Sequence, residues 1–520
     1  MRWAAIRTPR VRKSDRSDVR VAIIFVLLAG AATAYAQDAS QPPAPAAQQT
    51  STAQRVTCDS KEGGRVVCPA DTSAGVVLIR STGSAPCLLG KTWGYDDKSI
   101  WVSDGCAGEF VAGQVSQRPT SVSAPGYVPN VGFKLFDGEK GQVYFRLFTY
   151  ARYLNQRSTD ATYVDHFGNT KDVQQRQDIQ LNKFFSPFAG WFLTPKFRYY
   201  LYVWSQNPAQ GQPAQVVGGG NISYSFNRYV TAGAGITSLP STRSTEGQFP
   251  YWLGVDDRLM ADEFFRGSYT QGVWLKGEVA TKVKYMAMIA NNLSTLGVSA
   301  GQLNNKMDTQ SYSVQWLPTT GEFGLYGTFG DYDWHEKVAT RVGAHYTRST
   351  EDEQSQPGAD SIENTQIRLT DGAIIFTPNV LGADIDVNEV TYHMTSIDAG
   401  IKYHGLSAEG EYYRRWLTNF TGVNTTGLPT ITDNGYQMQL SGMIVPKILQ
   451  GYVGWSQIFG QHADPSDFRV GGNWYLVKQR GIRLNGELIQ ANHSPVGYGA
   501  YPLQVGMNGK VFHINLEMNF

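Results

Sequence analysis

The stretch of sequence that decides the fold is Lys510-Val511-Phe512-His513-Ile514-Asn515-Leu516-Glu517-Met518-Asn519-Phe520. From residue 512 onward the even positions carry large apolar side chains, whereas the odd positions up to 519 carry a histidine, two asparagines and a glutamate. A β-strand turns alternate side chains to opposite faces, so this segment predicts a strand with one apolar and one polar face. Such a strand suits a β-barrel whose outer face contacts lipid and whose inner face lines a polar lumen.

Half-buried strands of soluble β-sandwiches alternate in the same way, but this segment also ends on an aromatic residue, Phe520. In that feature it resembles the terminal signature of bacterial outer-membrane proteins. The resemblance implies that Phe520 is an assembly signal and that the barrel assembly machinery is a partner. The expected fold is all-β, a transmembrane antiparallel β-barrel in contact with outer-membrane lipids.

The composition of the chain would also suit a soluble protein, since its 520 residues carry a formal net charge of +1 and only 41% are hydrophobic. Beyond residue 36 no run of eighteen apolar residues occurs, so the sequence predicts no membrane-spanning helix. A search for long apolar runs does not detect a transmembrane β-barrel, because half of the residues in each of its strands are polar. The 55 Gly, 28 Tyr and 12 Trp suit the turns and aromatic girdles of a barrel. The near-zero net charge argues against nucleic acid as a partner.

Residues 1–36 have the layout of a secretory signal peptide. Basic residues between Arg2 and Arg20 precede an apolar run at 21–33, and Ala34-Tyr35-Ala36 supplies a cleavage site. A membrane-anchoring helix would need a longer apolar run. The sequence therefore predicts export, with the barrel in the bacterial outer membrane.

Three regions are expected between the signal peptide and the barrel. Residues 37–54 are rich in Gln, Ala and Pro and predict a disordered leader. Residues 55–112 are a cysteine-rich domain, which we place in the periplasm because it precedes the first strand. Residues 113–130 are rich in Ser, Pro and Gly and predict a linker. The barrel is expected to span 131–520.

All four cysteines of the chain lie in the cysteine-rich domain: Cys58, Cys68, Cys87 and Cys106. An even number of cysteines in a short exported domain predicts two disulfides, and three connectivities remain open. Metal binding is the alternative, but the region has neither a Cys-x-x-Cys pair nor a histidine.

The same domain resembles a small cysteine-rich domain of uncharacterised function that occurs in exported bacterial proteins. The resemblance rests on Cys68-Pro69-Ala70-Asp71-Thr72, on Trp93-Gly94-Tyr95-Asp96 and on residues 100–106. It implies no activity. Exposed aromatic residues here would be able to stack on the sugar rings of peptidoglycan, but in so small a domain such residues more often form the core.

Segments of alternating polarity in the barrel region occur at 143–155, 178–194, 196–206, 215–226, 229–238, 269–280, 282–292, 307–318, 322–331, 338–348, 389–404, 405–416, 434–443, 448–459, 466–478, 481–493 and 506–520. Their number is odd, whereas single-chain bacterial barrels have an even number of strands, so at least one segment is not a strand. We expect about 16 strands, with 14 and 18 open. Short connections should face the periplasm and long ones the exterior.

The barrel region resembles the phosphate-selective porin O/P family in the style of its strands and turns and in the motif Pro195-Lys196-Phe197-Arg198-Tyr199-Tyr200-Leu201-Tyr202-Val203-Trp204. The resemblance implies a homotrimeric porin whose third external loop folds inward to form a constriction. The best candidate for that loop is 239–268. Its constriction residues would be Asp256, Asp257, Arg258, Asp262, Glu263 and Arg266. Opposed carboxylates and guanidinium groups would set up a transverse field there, and a solvated surface loop is the alternative.

Anion selectivity in such a porin requires basic side chains that point into the lumen. Arginines in the polar phase of predicted strands are the candidates, because a lipid-facing arginine near the bilayer midplane costs roughly 2–4 kcal/mol. They are Arg146, Arg152, Arg198 and Arg341. Near a strand end, as at Arg198, an interfacial position is an equal alternative. Lumen acids such as Glu409, Glu411 and Glu487 dilute the basic set, so the family's phosphate specificity is not carried over.

These features predict a water-filled channel for the passive diffusion of small hydrophilic solutes, with a mild preference for anions. The alternative function is an anchoring barrel that presents a periplasmic domain to peptidoglycan. No enzymatic activity, cofactor or metal is predicted. His493-Ser494 resembles part of the site of outer-membrane lipid hydrolases but lacks a third, orienting group. The cluster Asp331-Tyr332-Asp333-Trp334-His335-Glu336 would suit a divalent cation, although a polar turn is the simpler explanation.

Overall fold

The computed structural model describes residues 54–60, 64–72, 76–83, 85–112, 126–128, 130–206, 215–247, 249–296, 298–303, 306–356, 366–497 and 502–520. The predicted signal peptide lies outside the described residues, as do 37–53 of the predicted leader and 113–125 and 129 of the predicted linker. Two compact units divide the chain, Met1–Ser121 and Val122–Phe520.

The described part of the first unit holds short strands in two antiparallel sheets. The strands are β1 (Gln54–Asp59), β2 (Val66–Pro69), β3 (Val76–Ser81), β4 (Trp93–Asp96), β5 (Ser99–Val102) and β6 (Ala107–Ala112). One sheet has the order β1-β6-β3 and the other the order β2-β5-β4. Trp93, Ile100 and Phe110 are buried in one cluster with the cysteines, so the unit has a small core of its own.

Two disulfides, Cys58–Cys68 and Cys87–Cys106, link the strands and loops of this unit. They confirm the predicted pair of disulfides and settle the connectivity. Trp93 belongs to the core, but Tyr95 is exposed, and Trp101 is half-buried with the Arg65 guanidinium 4.2 Å from its ring centroid. The core explanation of the aromatic residues therefore holds for Trp93 and not for Tyr95.

The strands of the second unit are β7 (Tyr127–Val128), β8 (Gly132–Gly138), β9 (Gly141–Phe145), β10 (Phe148–Thr159), β11 (Thr162–Val164), β12 (Thr170–Asp172), β13 (Gln177–Phe192), β14 (Thr194–Gln206), β15 (Gln215–Ser225), β16 (Thr231–Ser238), β17 (Tyr269–Ala280), β18 (Val283–Ala290), β19 (Thr309–Trp316), β20 (Ala339–Asp352), β21 (Asp386–Tyr403), β22 (Leu406–Val423), β23 (Ile431–Val445), β24 (Leu449–Phe459), β25 (Ser466–Tyr475), β26 (Ile482–Asn492) and β27 (Gly509–Asn519). The helical segments are α1 (Met260–Phe265) and the 3-10 turns Arg243–Thr245, Ala300–Gln302, Leu325–Gly327 and Glu353–Ser355. Within the described residues, no helix is both long enough and apolar enough to cross a membrane.

Sixteen of these strands, β10 and β13–β27, form one closed antiparallel sheet, in which β27 pairs back with β10. In the closing pair, Phe148 lies opposite Asn519 and Arg152 lies opposite Asn515. The backbone N–H of Leu147 donates to the carbonyl of Phe520 at 2.8 Å, and that of Phe520 donates to Leu147 at 3.0 Å. The predicted all-β barrel, its strand number and its closing strand are therefore confirmed.

The two faces of β27 show how the barrel is oriented. Phe512, Ile514, Leu516 and Met518 are each between 37% and 41% exposed, whereas the four polar residues between and after them are at most 5% exposed. The same apolar exterior recurs around the sheet, for example at Leu201, Val314 and Ile397 in other strands, and a soluble protein would bury these side chains. A closed sheet with an apolar outer face and a polar inner face is the architecture of a transmembrane β-barrel.

The connections between strands differ at the two ends of the barrel. At the end that holds the start of β10 and the end of β27, most connections have two to six residues, as at 281–282, 404–405 and 476–481. Connections at the other end are mostly longer, as at 239–268 and 353–385. This arrangement agrees with short periplasmic turns and long external loops.

One short-side connection is long, residues 317–338, and it contains the segment 322–331 that alternation predicted to be a strand. That prediction is wrong. Gly324, Gly327 and Gly330 have φ values of 86°, 63° and 71°, a left-handed conformation that turns the backbone out of any strand. Removing this segment leaves an even number of strands, as a closed barrel of this kind requires.

Candidate functional site

Residues 239–268 connect β16 to β17 and are the third long connection on the side opposite the short turns, after 160–176 and 207–214. Residues 239–245 and 250–268 of this connection, called the inner loop below, are buried throughout. An external loop would leave its polar groups in water. The inner loop therefore lies inside the barrel and is not a solvated surface loop.

Apolar side chains fix the inner loop to one part of the barrel wall. Trp252 packs in a cluster with Tyr452 of β24, and Val255 packs against β10. The ring of Phe265 in α1 stacks on that of Tyr413 in β22, with centroids 5.1 Å apart. Hydrogen bonds and ion pairs add contacts with β13, β20 and β21, so the loop is held against β10, β13 and the strands from β20 onward.

Two of the predicted constriction acids are bound to that wall. Asp256 makes an ion pair with Nζ of Lys183 at 2.6 Å and accepts a hydrogen bond from the Tyr150 hydroxyl at 2.8 Å. Asp257 Oδ1 lies 3.1 Å from Nη1 of Arg469 in β25. Both carboxylates are neutralised by basic residues of the wall.

The other four predicted constriction residues form a cluster within the inner loop. Arg266 Nη2 lies 2.6 Å from Glu263 Oε1, and Arg258 Nη1 lies 3.3 Å from Glu263 Oε2. Arg258 Nε is 3.9 Å from Asp262, and its guanidinium carbon is 3.9 Å from the centroid of the Trp252 ring. The six residues do lie in one inward loop, but their charges pair over short distances and do not face one another across open water.

Two further charged residues of the connection 239–268 bind the wall, and no sequence pattern marked them. Arg243 Nη2 lies 2.9 Å from Glu409 Oε2 in β22, and Glu246 Oε2 lies 2.6 Å from Arg341 Nη2 in β20. Arg341 Nε also lies 2.6 Å from Asp398 Oδ1. The partners of Arg243 and Glu246 are 166 and 95 positions away along the chain, so local sequence carries no signal of these contacts.

Two of the candidate arginines, Arg146 and Arg152, lie near the closing strand and also bind the inner loop. Arg146 Nη2 donates to the Tyr251 hydroxyl at 2.8 Å, and Arg152 Nη2 donates to the Val255 carbonyl at 2.7 Å. Arg152 Nε donates to Asn515 Oδ1 at 2.7 Å. Arg146, Arg152 and Arg341 therefore point inward, as predicted from their phase, but each is engaged by protein groups. Their contribution to anion selectivity stays a prediction.

The long connection 317–338, called the inner turn below, also enters the barrel, from the end with the short turns. Its residue Phe329 packs with Trp252 of the inner loop. Arg243 Nη2 donates to the Gly327 carbonyl, and Gly330 N–H donates to Glu409 Oε1 at 3.1 Å. The inner turn thus contacts the inner loop from the end of the barrel that has the short turns. Its length and its glycine spacing were the signals that could have revealed it.

The acidic and imidazole cluster of the inner turn holds that turn in place. His335 Nδ1 lies 2.5 Å from Asp331 Oδ1, and His335 Nε2 lies 3.1 Å from Glu322 Oε2. The backbone N–H of Gly405 donates to Asp331 Oδ2 at 2.8 Å. The hydrogen bond to Asp331 raises the pKa of His335, although burial opposes it. These contacts are those of a structured polar turn.

A different part of the wall carries basic residues that remain accessible to solvent. Arg198 of β14 shares its inward face with buried Tyr202 and Trp204, so it points into the barrel. Lys276 of β17 and Lys284 of β18 lie in the inward phase of their strands, and both are exposed. Among the described residues, none of these three bases makes an ion pair. Lys276 was not singled out from sequence, although its phase with Trp274 could have identified it.

Residues 30–128 match the model of a family described as Protein of unknown function (DUF3011). The match covers the cysteine-rich unit and not the barrel, and that description assigns no activity. Comparison with curated protein sequences finds no match.

Solved structures resemble the barrel at low sequence identity. The anion-selective porin from Comamonas acidovorans is 9% identical, the alignment covers 73% of this chain and 99% of that chain, and the TM-score is 0.43. The outer membrane channel DcaP of Acinetobacter baumannii is 9% identical, with 75% of this chain and 100% of that chain covered and a TM-score of 0.45. The trimer form of OmpT, an outer membrane protein of Vibrio cholerae, is 12% identical, with 74% of this chain and 100% of that chain covered and a TM-score of 0.45. The likeness is one of fold alone.

Proposed function

We propose that the protein is an outer-membrane porin, a passive channel for small hydrophilic solutes with a mild preference for anions. The observation that carries this proposal is the asymmetry of the barrel interior. On one side the inner loop and the inner turn pack against the wall with paired charges. On the other side β14–β18 present inward bases that are exposed and, among the described residues, unpaired.

The closed sheet and its exterior support a position in the outer membrane. The unbroken pairing leaves no sheet edge, and the outward side chains are mostly apolar. Both are conditions for a barrel in lipid. We infer that the short turns and both chain ends of the barrel face the periplasm, as is usual for outer-membrane barrels, and we propose the same compartment for the cysteine-rich unit.

The route for solutes follows the wall formed by β14–β18. A barrel of this size is too wide for its own side chains to fill, so inward loops determine the bore. The inner loop is fixed to β10, to β13 and to strands from β20 onward. Arg198, Lys276 and Lys284 remain accessible to solvent on this wall.

The charges on this route favour anions weakly. Three unpaired positive charges in a narrow, low-dielectric passage raise the local concentration of anions. Glu278 lies directly opposite Lys284 in the sheet and reduces the excess. Three bases are too few for a phosphate-binding ladder, so phosphate specificity is not proposed. The homotrimer that the resemblance to the phosphate-selective porins implies stays a prediction.

A second function, an anchoring barrel with little conductance, is favoured by the burial of the inner loop on all sides. In that case the cysteine-rich unit would make the contact with peptidoglycan. Exposed Tyr95 and half-buried Trp101 are the aromatic residues available there for stacking on sugar rings.

Single-channel recording in planar bilayers with asymmetric KCl tests the proposal. For the wild type we expect stable conductance steps and a reversal potential whose sign indicates that Cl⁻ is more permeant than K⁺. Replacing all three bases (Arg198→Gln, Lys276→Gln, Lys284→Gln) should lower the anion-to-cation permeability ratio roughly twofold or more at low salt. The difference should vanish at 1 M salt, where the Debye length is about 3 Å.

Lys282→Gln is the matched control, because Lys282 carries the same charge nearby but donates to the Pro318 carbonyl at 2.9 Å in the turn. This variant should keep the wild-type ratio. Absence of conductance steps would favour the anchoring barrel. A triple variant with an unchanged ratio would show that the permeation route lies elsewhere.

A further inference from the structure

Three loops meet at the end of the barrel opposite the short turns. They are 160–176, 353–385 and 460–465, and each contributes one side chain to a cluster of His166, Asp371 and His462. One ligand atom of each side chain lies within 4.8 Å of the other two. The rings of His166 and His462 have centroids 5.4 Å apart.

The orientation of His166 directs its Nδ1 atom at the Asp371 carboxylate. Its Nε2 lies 2.5 Å from the Val380 carbonyl oxygen, which can only accept a hydrogen bond, so Nε2 carries the proton. In the neutral ring Nδ1 then has a lone pair, and this atom meets Oδ2 of Asp371 in a short contact. Two electron-pair donors this close share a proton, and a metal ion can replace that proton once the two atoms move apart to the roughly 3.3 Å that separates tetrahedral ligands.

The other two ligands are held by backbone hydrogen bonds. Asp371 accepts a hydrogen bond from the N–H of Ala373 at Oδ1, at 3.1 Å, which leaves Oδ2 for the cluster. The hydroxyl of Thr370 accepts hydrogen bonds from the N–H groups of His462 and Ala463 at 3.3 and 2.9 Å. Neighbouring residues thus fix the carboxylate and bring the segment of His462 beside it.

We propose that His166, Asp371 and His462 bind a divalent transition-metal ion of the zinc type. Two imidazole nitrogens and one carboxylate oxygen are ligands that Zn²⁺ prefers, and water can supply the fourth. Metal-ligating histidines usually donate their second ring N–H to a backbone carbonyl, as His166 does to Val380. The bound ion joins three external loops that are far apart in sequence.

A proton in place of the metal is the competing outcome. Burial lowers the pKa of His166, but the hydrogen bond to Asp371 outweighs it, and the net direction is upward. A His166–Asp371 ion pair alone would make no use of His462, which has a ligand atom within 4.8 Å of both partners. The contribution of His462 therefore separates the two outcomes.

Titration of the full-length, folded protein in detergent with Zn²⁺, followed by calorimetry, tests the site. We expect one saturable site per chain. His166→Ala and His462→Ala should each weaken binding by about tenfold or more, and Thr370→Val should weaken it while leaving all three ligands in place. Co²⁺ should give the visible absorption of a four-coordinate complex in the wild type and lose it in both histidine variants.

His493→Ala is the matched control, because His493 is an exposed histidine on another external loop, 493–508. It should bind Zn²⁺ as the wild type does. Heat-modifiability on gels verifies that every variant keeps its barrel. Absent saturable binding, or binding that survives in both His166→Ala and His462→Ala, would overturn the proposal. Neither result depends on whether the barrel conducts.

Discussion

The phase of a strand predicts where an arginine points, but not what it binds. Arg152 is in the polar phase of β10 and does point inward. Its partners, the Asn515 side chain and the Val255 carbonyl, are 363 and 103 positions away. They depend on the closure of the barrel and on the path of the inner loop. A direction can be predicted from one strand, whereas these partners require the whole fold.

This distinction changes the expected effect of neutralising Arg152. Arg152→Gln should loosen the inner loop instead of shifting ion selectivity, because it removes a charged hydrogen-bond donor worth about 1.5–3 kcal/mol. Such a loss corresponds to roughly 10- to 150-fold more frequent local opening. Single-channel recording should show larger or noisier steps with a wild-type reversal potential.

Arg157→Gln is the comparison for this variant, since Arg157 is an exposed residue of the same strand. It should behave as the wild type. A clear fall in the anion-to-cation ratio for Arg152→Gln, with unchanged step size, would mean that Arg152 acts on the permeating ions directly.

At the scale of elements, the strands were largely predictable and the inward segments were not. The alternation of β27 located the closing strand, because lipid and lumen impose opposite demands on successive residues. Alternation failed at 322–331, where left-handed glycines bend an apparently strand-like sequence into the inner turn. It also could not locate the charge pairs of the inner loop, which are contacts between distant segments.

The inner turn should be held more firmly at mildly acidic pH. The hydrogen bond to Asp331 raises the pKa of His335 above its ordinary value of about 6.5. The folded turn then binds the proton more tightly than the unfolded chain, so this contribution is fully present below about pH 6.5 and is lost as the pH rises through the raised pKa. Hydrogen exchange of residues 317–338, corrected for intrinsic rates, should be slower at pH 6 than at pH 8.

The two acids beside His335 act in the opposite direction. Burial raises the pKa of Asp331, but its hydrogen bonds from His335 and Gly405 outweigh this effect and lower it. The pKa of Glu322 is also lowered. Their contributions are present above about pH 4.3 and are lost at lower pH, so pH 6 lies inside the stable window. His335→Gln should abolish the difference between pH 6 and pH 8, and His493→Gln should not. A pH effect that persists in His335→Gln would refute this assignment.

The cysteine-rich unit should depend on its disulfides, because its core is small. A closed loop of about 15 residues contributes roughly 3 kcal/mol by constraining the unfolded chain. Reduction of the folded full-length protein should therefore make residues 54–112 sensitive to protease. The barrel supplies an internal control, since all four cysteines of the chain precede it. A reduced unit that stays resistant would show that its two sheets suffice.

At the scale of the whole molecule, the last residue takes part in closing the barrel. Phe520 exchanges two backbone hydrogen bonds with Leu147, and its ring meets that of Phe133 with centroids 5.7 Å apart. Deleting Phe520 should lower the amount of heat-modifiable barrel in outer-membrane fractions. Phe468→Ala removes a lipid-facing phenylalanine from β25 and should have little effect. Equal amounts of barrel for the deletion and for Phe468→Ala would exclude a special role for this residue.

The seam between β10 and β27 also constrains the kinetics of folding. The two strands that form it are separated by more than 300 positions, as the 363 between Arg152 and Asn515 show, so this pairing has the greatest loop-closure cost in the sheet. Until it forms, two unpaired strand edges would face hydrocarbon, where unsatisfied backbone groups are very costly. The open sheet is therefore a state of high free energy and not a populated folding intermediate. We expect seam formation to limit the folding rate, and any protein that lends a temporary strand to the open edges to accelerate it.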